Sequence, residues 1–80
     1  MAGIFAPGQL VKLVHWHAAD CELNNIPGQV TNSQVRVIGR LRHKDIAIIV
    51  ALERADGRNL YVLGPDGGGW IPGGVIQAVV

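Results

Sequence analysis

The sequence predicts an all-β domain: a small barrel of five short strands with a long first loop. Three observations carry this. Eleven glycines and four prolines in 80 residues interrupt the chain too often for long helices. The stretch "QVRVIGRLR", residues 34–42, alternates apolar and basic positions with the period of a strand. Asp56-Gly57 separates two apolar runs, a strong hairpin signal because glycine accepts positive φ cheaply. Closing so few strands into a barrel removes the unpaired edges that invite aggregation.

The elements follow in order. After Pro7-Gly8, "QLVKLV" is rich enough in β-formers to be the first strand, leaving residues 1–7 as an N-terminal lead to a single domain spanning 1–80. "HWHAADCELNNIPGQVTNS" is polar and broken by Asn24-Asn25, Pro27-Gly28 and Asn32-Ser33. It reads as a long excursion with one helical turn around Ala18 to Leu23. In the second strand Val35, Val37 and Leu41 fall on one face and Arg36, Arg40 and Arg42 on the other. "HKD" turns the chain. "IAIIVALER" is a buried-type strand expected to face the core with Ile46, Ile48, Val50 and Leu52. "NLYVLG" returns antiparallel to it. "PDGGG" reads as a turn, "WIPGG" as a tight corner and "VIQAVV" as the fifth strand.

From Ile46 onward the chain resembles the SH3-like barrel family. "IAIIVALERADGRNLYVLG" is similar to the family's distal hairpin. "GWIPGGVIQAVV" is similar to its glycine–aromatic–aliphatic–proline corner, short helical turn and last strand. The resemblance covers about residues 8 to 80, and the long excursion then stands where the family has its first loop. It implies a proline-rich peptide ligand, for which Pro72 matches the groove proline. The following Ser-Asn-Tyr of the family is here Gly73, Gly74 and Val75, and aliphatics around Ile46 to Ile48 replace the groove tryptophan. A fold without its site does not carry its function. "VIQAV" shares composition and position with a motif of the tetrameric type II dihydrofolate reductases but not the motif itself, which supports oligomers more than catalysis.

A formal charge of +1 is small for a dedicated nucleic-acid module. The longest apolar run, Ile46 to Leu52, is too short to span a bilayer. With no basic, apolar leader and one cysteine, the chain is expected in a reducing cytoplasm. An apolar fraction of 49% exceeds what so small an interior needs, so a homo-oligomer is expected.

Four groups carry candidate chemistry. His15 and His17, with Cys21 or Asp20, have spacing compatible with a metal. No second His/Cys pair completes the set, so no metal or other cofactor is expected. Cys21 with His17 as base could form a thiol site, but Asp20 and Glu22 disfavour a thiolate between them. Arg36, Arg40, Arg42 and Lys44 could meet phosphates or an acidic partner. Trp16, Trp70 and Pro72 are the candidate protein-binding positions, since large aromatics dominate interface energies. The favoured reading is a non-catalytic, self-associating interaction module. A nucleic-acid-binding barrel is the alternative, with a small-molecule site shared between subunits third.

Overall fold

In the computed structural model of the chain the described residues are 5–16, 20–27, 35–53 and 58–79. They build a single antiparallel sheet of seven strands: β1 (Leu10–Leu13), β2 (Cys21–Asn24), β3 (Val37–Leu41), β4 (Ala47–Leu52), β5 (Asn59–Gly64), β6 (Gly67–Pro72) and β7 (Ile76–Ala78). A 3-10 turn, Gly73–Val75, separates β6 from β7. The order across the sheet is β3-β2-β6-β5-β4-β1-β7, with β3 and β7 as unjoined ends. The all-β expectation holds, but there are seven strands where five were expected. The two additions are β2 and β6.

Strand β2 lies in the segment read as an excursion. Its residues from Cys21 onward are extended, not helical as expected there; Ala18 and Ala19 lie outside the described residues. Only Leu23 of "CELN" is fully buried, so the strand shows no apolar pattern of its own. Partners supply what the pattern lacks, because β2 pairs with β3 on one side and meets β6 at Asn24–Trp70 on the other.

Strand β6 contains the glycines read as a turn. The turn itself is Pro65-Asp66, closed by the pair Gly64–Gly67. Gly67 adopts φ 94°, where a side chain would be strained. Gly69 has a different reason to be glycine. A Cβ there would stand 2.7 Å from Leu23 Cβ and 3.0 Å from the Asn24 carbonyl oxygen. The glycines therefore let β2 lie directly on β6.

All seven strands bury side chains on one side of the sheet: Val11 and Leu13 from β1, Leu23, Leu41, Ala47 and Ile49, Leu60 and Val62, Ile71, and Ile76. Residues so spread can form one cluster only if the sheet curls around them. Phe5, from the stretch read as a lead, joins the same core. Loop 42–45 closes as the "HKD" turn predicts: the Asp45 N–H donates to the Arg42 carbonyl at 3.0 Å, and the Arg42 N–H donates to Asp45 Oδ2 at 3.0 Å. Buried Asp45 thus has its carboxylate satisfied by backbone.

The phase of β4 is the reverse of the expectation. Ala47 and Ile49 are buried, whereas Ile46 is 50% exposed, Ile48 38% and Val50 52%. A run of seven apolar residues, Ile46 to Leu52, offers either face, so the decision falls to the neighbours. The interior is narrow at Ala47, where a Cβ built on Gly64 would lie 3.7 Å from the Ala47 Cβ and 3.4 Å from Leu41 Cδ1. An isoleucine would overfill that space. Farther along, Ile49 pairs with inward Val62 and Ala51 with Tyr61, leaving Val50 as the extra residue of a bulge. Leu52, expected inward, does pack against the core.

Candidate functional site

The reversed phase of β4 creates an exposed apolar surface. Residues opposite one another in a sheet share a face, with Cβ atoms about 5 Å apart. Leu10 of β1 pairs with Ile48, and Ile48 pairs with Leu63 of β5. These three form an apolar row across adjacent strands on the side away from the core, with Leu10 48% and Leu63 52% exposed. Ile46 and Val50 flank Ile48 along its chain and are also exposed. Beyond Leu63 the row reaches Gly68 of β6. Tyr61 and Trp70 pair in the next row and meet edge to face, ring centroids 5.5 Å apart at 88°. The Tyr61 ring also covers Gly68, where a Cβ would fall 3.2 Å from Tyr61 Cε1.

This face carries no charge at any of Leu10, Ile46, Ile48, Val50, Tyr61, Leu63, Gly68 and Trp70. Lys12, the next outward residue of β1, stands at its margin. Several large aliphatics together in water, without an interleaved charge, are unusual on a lone soluble domain. Charge depletion with aromatic neighbours is the composition of an interface centre.

Two of the sequence-predicted positions, Trp70 and Pro72, can be placed against this face. Trp70 and Pro72 lie two residues apart on β6, and Trp70 is half-buried against Tyr61 while Pro72 is exposed where β6 ends. They continue the apolar face along β6. Trp16 is 65% exposed in the turn after β1.

No family model, curated protein or solved structure matches the chain.

The basic stripe is not continuous. Leu23 pairs with Gly39 and Asn24 with Val37, so Ile38 is an extra residue in β3. The bulge reverses the alternation. Val37 becomes 51% exposed instead of sharing the inward side with Leu41, and Arg36 leaves the face held by Arg40. Arg40 is 3.8 Å from Glu22, which it opposes in the ladder. Arg42 reaches Asp66 at 3.3 Å and Asp45 at 4.0 Å. Any phosphate at Arg40 or Arg42 competes with these carboxylates. Lys44 is exposed in the 42–45 turn. Glu53 accepts a 2.7 Å hydrogen bond from the side-chain amide of Asn59.

Of the candidate metal residues, His15 is exposed in the turn after β1 and Cys21 opens β2, while His17 lies outside the described residues. Among the described residues no three His, Cys, Asp or Glu side chains gather as a metal site. Nor is any helix among them long and apolar enough to cross a membrane. Cys21 packs partly against the core and its Sγ–H points to the Glu22 carbonyl oxygen at 3.6 Å. Burial first, and the Glu22 carboxylate second, push its thiol pKa up. Since the thiolate is the nucleophile, alkylation of the native chain at pH 8 is expected to be slower than alkylation of the same chain in denaturant. The native rate should rise with pH only above the range of an ordinary thiol. Timed iodoacetamide labelling read by mass checks this, and equal rates would mean that Cys21 is not held in the core. The sign also applies to stability: the raised folded value favours the native state at low pH, and that advantage is lost as pH climbs through it.

Sequence reasoning missed the apolar outer face because "IAIIVAL" has apolar residues at both parities. The available signal was one of size: Ala47 is the small residue beside larger Ile46 and Ile48, which marks where inward space is short.

Proposed function

We propose that this chain is a non-catalytic assembly module of SH3-like fold whose outward apolar sheet face is its working surface. The observation that carries this reading is the uncharged row Leu10–Ile48–Leu63 with Ile46 and Val50 beside it. The core already takes Val11, Ile49 and Val62 from the same strands, so the outward residues are not needed to complete the interior. Five exposed large aliphatics are a solubility liability unless something covers them. The SH3-like part of the reading is supported by the β4–β5 hairpin and by the 3-10 turn before the last strand. The groove residues that would bind proline-rich peptides differ, as the sequence comparison above describes, so the working surface is placed on the face and not in a groove.

The test is the size of the chain's complexes in an extract of the cells that make it. Tagged chain is expected to elute well above its 8.5 kDa, and the Ile48→Lys variant as a single folded chain. An elution position that ignores Ile48→Lys, or wild-type chain already running alone, would reject the assembly reading.

A further inference from the structure

We infer that the partner covering the outer face is a second copy of the same chain, docked face to face about a two-fold axis through the Leu10–Ile48–Leu63 row. This rests on the assembly reading above and adds the identity of the occupant.

The first argument is charge. In a two-fold interface each patch meets itself, so any net charge on the patch is opposed by the same charge. Most surfaces fail that condition. The row Leu10–Ile48–Leu63, its flanks Ile46 and Val50, and the Tyr61–Trp70 pair carry none. The nearest outward cation, Lys12, lies at the margin next to Gln77 of β7, where interfaces are polar and wet. Arg40 and Arg42 belong to β3 and the turn after it and are paired with Glu22, Asp45 and Asp66. A charged partner finds nothing to pair with on this face, whereas an identical face finds an uncharged, apolar counterpart.

The second argument is area. A stable interface takes about 800 Å² from each partner, roughly a sixth of the 4960 Å² that the chain exposes. The apolar face runs across β6, β5, β4 and β1, four adjacent strands among the five inner ones of the sheet. There Leu10, Ile46, Ile48, Val50 and Leu63, each from about two-fifths to just over half exposed, can form the dry centre of such an interface. Strands at the two ends, β3 and β7, stay outside that centre. Pairing of end strands is therefore not the contact proposed.

The experiment is sedimentation of purified, untagged chain over a range of concentrations, with Ile48→Lys and Leu63→Lys as variants. The wild type is expected at twice the chain mass and to dissociate on dilution. Each folded variant should run at the single mass, with dimerisation weakened at least about 100-fold, because a lysine at the centre would be buried without a partner. Circular dichroism establishes that the variants are folded. A measurement on the wild type alone keeps the test decisive if they are not. Hydroxyl-radical labelling of Ile48 and Leu63 should rise on dilution while that of buried Leu60 stays low. Wild-type chain that remains single at the highest soluble concentration overturns the inference, and so does a dimer that survives either folded variant. The two readings fail separately. Large complexes in extract with a monomeric pure chain would keep the module and reject the second copy, whereas single chains in both would reject both.

Discussion

Replacing Gly69 with alanine is expected to cost the fold at least about 2 kcal/mol, a large fraction of the roughly 4–12 kcal/mol available to a domain of this length. The added Cβ would lie 2.7 Å from Leu23 Cβ, 3.0 Å from the Asn24 carbonyl oxygen and 3.1 Å from the Leu23 carbonyl carbon. None of these is the end of a flexible side chain. Relief therefore requires β2 to move away from β6, and that strains the only register pair between them, Asn24–Trp70. Leu23 is fully buried, so the same movement loosens the core. Gly74→Ala is the control. No atom lies within 4 Å of its Cβ position and its φ is not positive, so a neutral effect or a gain of about 0.4–1 kcal/mol from a stiffer unfolded chain is expected. Urea unfolding followed by circular dichroism measures both. Equal midpoints for the two variants would mean that β2 does not rest on β6 as described.

That contrast also shows what could be read from the sequence. The strands that were legible bring their own pattern: β1 in "QLVKLV", β4 in "IAIIVAL" and β5 in "NLYVLG". Glycine and proline marked the corner before the last strand, and the 3-10 turn Gly73–Val75 sits there. Strand β6 was hidden because three successive glycines read as a turn, whereas in the sheet two of them mark close approach, of Leu23 at Gly69 and of Tyr61 at Gly68. The distinction depends on what lies across the sheet, which local spacing does not encode. The outer face was hidden by a similar degeneracy. Both parities of "IAIIVAL" are apolar, and the choice between them is made by the narrow space around Ala47. Part of the apolar excess seen in the composition lies on the outside. Its location required the register. The arginine stripe shows the opposite failure: an even alternation that one bulge at Ile38 interrupts.

Leu23→Ala should cost about 3–4 kcal/mol, as much as Leu60→Ala in the hairpin that the sequence makes obvious. Both leucines are fully buried and belong to the same core cluster. If β2 and β3 were only a decorated loop, truncating Leu23 would cost under about 1 kcal/mol, the range of a surface change. The structure places it otherwise. Leu23 Cδ1 would lie 3.2 Å from a Cβ on Gly39, and its own Cβ faces Gly69, so glycines on two neighbouring strands leave the space this side chain fills. Removing three carbons there leaves a cavity beside two glycines that have no side chain to fill it. Urea unfolding of Leu23→Ala and Leu60→Ala measures the two costs side by side. The Gly69 prediction follows from the same geometry and gives a second check. Leu23→Ala retains the Cβ, so it should not relieve the clash introduced by Gly69→Ala, and the double variant is expected to be less stable than either single one. A double variant that recovers stability would show that the leucine tip, not the strand, is what Gly69 accommodates.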